Sequence, residues 1–167
     1  MVRILVALGS NAMDSPRFVG DGWLAAVAAL GLVGARLSRV VVSRPAEGVD
    51  GGAFCNAVGA GDCDLPPAIA LARLHDVEAS FGRTRTPGAP PAARTLDLDL
   101  IDWGGRVIAE PGLTLPHPRL HQRDFVLAPI AELEPTFVDA RSGRSVAELL
   151  RDLPERFIVP AAEGPLP

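Results

Sequence analysis

The sequence predicts one layered domain of the α/β or α+β class. Its 167 residues suit a single domain, and 48% of them are hydrophobic while 22% are charged, which is typical of a folded protein. Short apolar runs of strand character alternate with segments of helical spacing, and no repeat or linker divides them. We expect one domain over residues 1–153 and a loosely held tail over residues 154–167, which is rich in Pro, Ala and Gly.

The first half of the chain predicts a strand, a helix and two further strands. The apolar run Arg3 to Leu8 stops at a Gly-Ser-Asn turn, as a buried strand would. The sequence Asp14-Ser15-Pro16 marks a helix start, and the Ala-rich stretch from about Asp21 to Leu32 continues the helix. Two β-like runs, Ala35 to Ser43 and Phe54 to Cys63, flank a Pro/Gly loop, and we expect them to pair antiparallel.

The second half begins with a helix that opens at Pro66-Pro67 and ends at Gly82. An irregular segment rich in Pro follows, and such a segment inside a compact domain is often functional. The remaining predicted elements are a strand over Leu96 to Trp103, a hairpin through Gly104-Gly105 to Ile108, a polar turn region over Pro116 to Arg123, a helix over Phe125 to Leu133, and a short strand, turn and helix over Phe137 to Leu153. This order resembles a ferredoxin-like sandwich with additions.

Composition excludes several classes of function. The net charge of −4 gives no overall attraction to nucleic acid, and no apolar stretch is long enough to span a bilayer, so we expect a cytoplasmic protein without either partner. All 16 cationic side chains are Arg, so a nucleotide would be held by Arg, metal and backbone groups. Cys55 and Cys63 are too few for a four-thiolate zinc site, and we expect two reduced, buried thiols.

The segment Arg94 to Leu100 carries the most chemical information. On a strand, Asp97 and Asp99 share one face, roughly 6.5 to 7 Å apart, while the alternating leucines face the core. Two carboxylates at this spacing suit Mg²⁺, which completes its shell with water and substrate phosphates. A half-solvated edge strand would show the same alternation. Arg83, Arg85 and Arg94, which bracket the preceding loop, favour the phosphate-binding interpretation.

The segment Arg94 to Asp99 resembles the signature of the 6-hydroxymethyl-7,8-dihydropterin pyrophosphokinase family of folate biosynthesis. The family motif Gly-Pro-Arg-Thr-(Leu or Ile)-Asp-Leu-Asp is matched from Arg94 to Asp99, although Ala92-Ala93 stands in place of Gly-Pro. Further matching segments follow in the same order and spacing: Leu8 to Asn11, Phe54 to Val58, Glu78 through Arg83 to Arg85, and Leu113 to Leu127. Any one segment is a weak match, whereas the set covers roughly residues 3 to 150.

The resemblance implies a three-layer α/β/α sandwich on a ferredoxin-like core, with a mixed, mostly antiparallel sheet. It implies an enzyme that moves pyrophosphate from ATP to the hydroxymethyl group of 6-hydroxymethyl-7,8-dihydropterin and leaves AMP. It implies that Asp97 and Asp99 hold two Mg²⁺ ions with ATP, and that Arg83 and Arg94 are catalytic-loop arginines. The implied ATP-binding residues are His75, Glu78, Arg83, Arg85, Arg94, Thr114, His117 and Arg123. The implied pterin-binding residues are Ser43, Pro45, Ala46, Phe54, Asn56 and Phe125.

Two other functions remain open on sequence grounds. A metal-dependent phosphohydrolase or nuclease could use the same aspartate pair without a pterin, although the acidic pI of about 5.3 disfavours a nuclease. A non-catalytic binding module on a ferredoxin-like scaffold would need no Mg²⁺. For the pyrophosphokinase we expect small-molecule partners only, namely ATP and the pterin, and a monomeric protein.

Overall fold

The structure, a computed structural model, describes residues 1–45, 52–82 and 95–159. The elements in chain order are β1 (Val2–Ser10), α1 (Ser15–Leu30), β2 (Val33–Leu37), β3 (Val41–Ser43), β4 (Phe54–Cys63), α2 (Pro67–Ser80), β5 (Asp97–Trp103), β6 (Ile108–Glu110), β7 (Leu113–Leu115), a 3₁₀ turn (Leu120–Gln122), α3 (Asp124–Leu133) and α4 (Val146–Arg151).

The main sheet has the order β2-β4-β1-β5, and β3 pairs with β4, as β2 does. All pairings between described strands are antiparallel, so the expected parallel component is absent from this part of the chain. β5 forms one edge of the described sheet, whereas β1 lies inside it. The expected antiparallel pairing of the two early β-like runs is confirmed.

The sheet is covered by helices on both faces, which confirms the three-layer α/β/α arrangement. Residues of α1 and α2 pack on one face with Ile4, Val6 and Leu8 of β1 in the first core cluster. Residues of α3 and α4 pack on the opposite face with Leu5 of β1 in the second cluster. A strand that is buried on both faces needs apolar residues at successive positions, which explains the continuous apolar run of β1.

Close packing between α1 and the sheet depends on a glycine of β4. A Cβ atom at Gly59 would overlap the ring of Trp23, which is 5% exposed. Only glycine therefore lets the indole lie directly on the β4 backbone. α1 itself ends at Leu30 rather than Leu32 because Gly31 adopts a left-handed conformation, with φ 62°.

Two strand predictions are wrong in detail. The expected single run Ala35 to Ser43 is split into β2 and β3, because the Ser38 side chain accepts the backbone N–H of Val58 at 3.0 Å in place of a regular ladder. The expected hairpin through Gly104-Gly105 does not form, since Ile108–Glu110 pairs with Leu113–Leu115 and not with β5. The chain therefore turns away from the sheet after Trp103.

Residues 155–159, which belong to the predicted loosely held tail, pack against the domain. Phe157 is 7% exposed, and the backbone N–H of Val159 donates to the carbonyl oxygen of Val42 at 2.8 Å. Residues 160–167 lie outside the described part of the chain. No helix within the described residues is long and apolar enough to cross a membrane.

Candidate active site

Two adjoining cavities meet at the start of β5. Asp97, Asp99 and Arg123 line both of them. The first cavity has aromatic and apolar walls, and the second is lined mainly by polar side chains from α2, β7 and the turn before α3. Because the same two carboxylates belong to both walls, a ligand in either cavity would lie beside them.

The fold places Asp97 and Asp99 together as the sequence predicts. Both are half-buried and lie opposite Gly9 and Ala7 of β1, while Leu98 belongs to the core cluster on the other face of the sheet. The guanidinium Nη1 of Arg123 lies 3.7 Å from Oδ2 of Asp99, which is a long ion pair. Both carboxylates line the two cavities, and the Asp99 side chain is 38% exposed.

The donor set at β5 fits a Mg²⁺ ion shared with a phosphate ligand. Within the described ranges, no group of three or more His, Cys, Asp or Glu side chains could hold a metal. Two carboxylates alone do not complete a coordination shell, and Mg²⁺ typically takes only one or two from protein and the rest from water and phosphates. Asp97 and Asp99 are therefore the residues that could hold such an ion.

The first cavity has two aromatic walls that come from distant parts of the chain. Phe54 begins β4 and Phe125 follows the first residue of α3, and both rings are half-buried. The guanidinium carbon of Arg123 lies 5.7 Å from the centre of the Phe125 ring. A flat heteroaromatic ligand can stack on such rings, and its polar edge needs a hydrogen-bonding partner.

Asn56 supplies a polar group of this kind at the buried end of the first cavity. The residue is 6% exposed, and its Nδ2 donates to Oγ of Ser43 at 3.0 Å, which fixes the orientation of the amide. Gly9 lies opposite Asn56 across the β1–β4 ladder. A Cβ atom at Gly9 would lie 3.3 Å from Oδ1 of Asn56, so glycine keeps space around this oxygen.

The second cavity brings together four of the predicted nucleotide ligands. His75 on α2, Thr114 on β7, His117 and Arg123 all line it, as does the exposed Arg119. Burial lowers the pKa of His117, the positive charge of Arg123 lowers it further, and the negative charge of Asp99 opposes the shift. Nδ1 of His117 accepts the backbone N–H of Arg119 at 3.2 Å, which leaves Nε2 of the neutral ring as a donor.

Glu78, one of the predicted nucleotide ligands, lies in the interior next to β5. Its side chain is 1% exposed and lines neither cavity, and Oε1 accepts the backbone N–H of Leu98 at 2.7 Å. A buried N–H on the strand that carries both aspartates is thereby satisfied. Glu78 thus ties α2 to β5, and its contact with the nucleotide stays a prediction.

Comparison with known proteins identifies the family. The model of the 7,8-dihydro-6-hydroxymethylpterin-pyrophosphokinase family matches residues 5–135, which is most of the chain. The chain belongs to this family.

Individual relatives agree with this family assignment. A Synechocystis 2-amino-4-hydroxy-6-hydroxymethyldihydropteridine pyrophosphokinase is 42% identical over 100 residues, which cover 60% of this chain and 50% of that protein. The Pseudomonas aeruginosa protein of the same name is 37% identical over 91% of this chain and 92% of its own length. The chain thus matches about half of the first relative and nearly all of the second.

Solved structures support the fold. A Plasmodium falciparum HPPK-DHPS structure with pteroate has a TM-score of 0.71 and 10% sequence identity, and it covers 90% of this chain and 44% of that one. At this identity the similarity concerns the fold alone. It agrees with a pyrophosphokinase-family domain built of helices on both faces of an antiparallel sheet.

Several residues that the family resemblance singled out cannot be placed. Arg83, Arg85, Arg94 and Ala46 lie outside the described residues. Their roles in ATP, catalytic and pterin contacts stay predictions. Pro45 is described and half-buried, but it does not line either cavity.

Other cavity residues were not singled out from the sequence. Gly9 was expected only in a strand-to-helix turn, and Arg44 at the rim of the first cavity and Arg119 in the second had no assigned role. The position of Gly9 as the penultimate residue of an interior strand could have indicated a close approach by a neighbouring side chain. No sequence pattern indicated Arg44, because its position depends on a distant segment of the chain.

Proposed function

We propose that this chain transfers the β,γ-pyrophosphoryl group of ATP to the hydroxymethyl oxygen of 6-hydroxymethyl-7,8-dihydropterin, with release of AMP, as a step of folate biosynthesis. The observation that carries the proposal is the pair Asp97 and Asp99 at the junction of an aromatic cavity and a polar one. A transfer between two bound substrates needs both reacting groups beside the same charge-stabilising side chains.

In this proposal the first cavity takes the pterin. The flat ring system lies between Phe54 and Phe125, and the fixed amide of Asn56 faces its hydrogen-bonding edge. The hydroxymethyl group then points toward Asp97 and Asp99. Exclusion of water by the aromatic walls would favour attack by the pterin alcohol over hydrolysis.

The second cavity takes the triphosphate of ATP. His75, Thr114 and His117 line it, and Arg123 lies between the two cavities, where it can neutralise charge on the transferred group. Two Mg²⁺ ions held by Asp97 and Asp99 would supply the charge neutralisation that in-line phosphoryl displacement requires. Arg83, Arg85 and Arg94 are proposed to add positive charge from the preceding loop.

The reaction step is a displacement at the β-phosphorus. The hydroxymethyl oxygen forms the new bond, the bond between the β-phosphorus and the oxygen of the α-phosphate breaks, and AMP leaves with the electron pair. Asp97, which lines the first cavity, is proposed to accept the hydroxyl proton on its way to solvent. Positioning and charge stabilisation would carry most of the rate. A monomeric state and a cytoplasmic location stay predictions.

The test is nucleotide product analysis after incubation with ATP, Mg²⁺ and the pterin, with single omissions of pterin and of metal. The proposal expects AMP only in the complete mixture, in a ratio of one AMP to one pterin diphosphate. ADP or free phosphate formed without the pterin would instead indicate a phosphohydrolase. Absence of turnover by folded protein, together with ligand binding that needs no Mg²⁺, would indicate a binding module.

A further inference from the structure

A segment near the end of the described chain connects the end of β3 with the start of α3, and both of these regions contribute residues to the first cavity. Residues 155–159 run beside the end of β3, where the backbone N–H of Arg44 donates to the carbonyl oxygen of Phe157 at 2.9 Å. Ile158 forms an isolated antiparallel bridge with Ser43. The family model ends at residue 135, so this segment lies outside the matched region.

The same segment is attached to the start of α3. Oδ2 of Asp124 accepts the backbone N–H groups of Phe157 at 2.9 Å and of Ile158 at 3.0 Å. Asp124 is 2% exposed and is followed directly by Phe125. A buried carboxylate that accepts two backbone N–H groups is held firmly, because separation would leave three polar groups unpaired in the interior.

The Phe157 ring contacts two residues that line the first cavity, Phe125 and Arg44. It meets the Phe125 ring edge-to-face, with 5.8 Å between ring centres and an interplanar angle of 87°. The guanidinium carbon of Arg44 lies 4.6 Å from the centre of the Phe157 ring. Arg44 also donates to the carbonyl oxygen of Arg156 at 3.0 Å and forms an ion pair with Glu155.

Phe157 does not line the first cavity, whereas Phe125, Arg44 and Ser43 all do. Its effect on a ligand must therefore pass through these neighbours. The edge-to-face contact with Phe157 further restricts rotation of the Phe125 ring about its side-chain bonds.

We propose that residues 155–159 set the pterin-binding geometry of the first cavity, with Phe157 as the positioning residue that fixes Phe125 and Arg44. The inference rests on the proposed function, since the pterin is the ligand whose affinity it concerns. Nucleotide binding in the second cavity should be independent of the segment, because none of its residues lines that cavity.

The test compares Phe157→Ala with Leu149→Ala, a control in which a 4% exposed residue of α4 is truncated in the second core cluster, against which Phe125 also packs. Phe157→Ala should raise the pterin dissociation constant by about three- to tenfold, which is the contribution of an edge-to-face aromatic pair, and leave ATP binding unchanged. Phe157→Leu, which keeps most of the buried volume, should fold and show part of the same loss. Leu149→Ala should lower the melting temperature without changing pterin affinity.

The proposal is overturned if Phe157→Ala or Phe157→Leu binds the pterin as the parent protein does, or if Leu149→Ala loses affinity equally. Hydrogen exchange of the unliganded proteins gives a readout that needs no pterin. Backbone amides of residues 43–44 and 124–127 should exchange faster in Phe157→Leu than in Leu149→Ala, and equal exchange would contradict the positioning role. If the parent protein binds no pterin, the proposed function fails while the exchange experiment still decides this inference.

Discussion

At the scale of single residues, the aspartates of β5 show why the alternation of Leu and Asp left two interpretations open, a metal-binding pair and a half-solvated edge strand. β5 is an edge strand, as the half-solvated interpretation expects, and Leu98 and Leu100 pack in the core. On its polar face, however, Asp97 and Asp99 line both cavities together with Arg123 from the turn before α3. A bound cation at this position would be attracted by both carboxylates.

Replacing these carboxylates should separate activity from stability. Asp97→Asn and Asp99→Asn should each lower kcat by about 10²–10³-fold or more, because charge stabilisation of the transferred group is lost. Both variants should remain folded, because neither side chain belongs to a hydrophobic core cluster. Asp21→Asn, at an exposed carboxylate on α1 that pairs with Arg17, serves as the control and should leave the rate unchanged. Near-normal turnover by the Asp97 variant would contradict the assignment.

Asp102, on the same strand, should make stability depend on pH. It is 5% exposed, Oδ2 accepts the backbone N–H of Gly105 at 3.0 Å, and Oδ1 has no hydrogen-bond partner within the described residues. Burial raises the pKa of Asp102 above the ordinary value of 3.8, so the folded state holds the proton more tightly than the unfolded state does. The stability contributed by the protonated form is full below 3.8 and is lost as pH rises through the folded-state pKa.

The prediction for Asp102 is tested by urea unfolding of the parent protein and Asp102→Asn at a series of pH values that starts below 3.8 and rises above it. The free energy of unfolding of the parent should fall relative to that of the variant as pH rises above 3.8, because the amide cannot ionise. A constant difference between the two proteins at every pH would show that the buried carboxyl does not titrate differently on unfolding.

At the scale of elements, the close contact between α1 and β4 gives a prediction about glycine. Gly59→Ala should lower the free energy of unfolding by about 1–3 kcal/mol, because the new methyl group would overlap the Trp23 ring. Gly20→Ala is the matched control, since nothing lies within 4 Å of its added Cβ on α1, and it should stabilise the helix by up to about 1 kcal/mol. Chemical denaturation of both variants measures the difference, and equal stabilities would contradict the packing.

The same scale shows which elements a sequence can predict. Helical spacing identified α2 because its apolar residues recur regularly along the chain. The break between β2 and β3 was missed because it depends on a hydrogen bond from Val58 to the Ser38 side chain, which no local pattern reveals. The docking of residues 155–159 was missed because its acceptor, Asp124, lies more than thirty residues earlier in the chain.

At the scale of the whole molecule, the candidate site is assembled where several distant segments meet. β5 supplies the aspartates, β4 and α3 supply the aromatic walls, and β7 with the following turn supplies the polar cavity. The sequence could predict Asp97, Phe54 and Phe125 through the resemblance to the pyrophosphokinase family. It could not predict that Glu78 faces inward, because a carboxylate on a helix is normally exposed.

The most direct measurement is anomalous diffraction from crystals grown with Mn²⁺, the pterin and a non-hydrolysable ATP analogue. The account predicts metal peaks coordinated by Asp97 and Asp99, with the pterin between Phe54 and Phe125 on one side and the triphosphate in the polar cavity on the other. Metal peaks away from both aspartates, or a pterin bound outside the aromatic cavity, would contradict it.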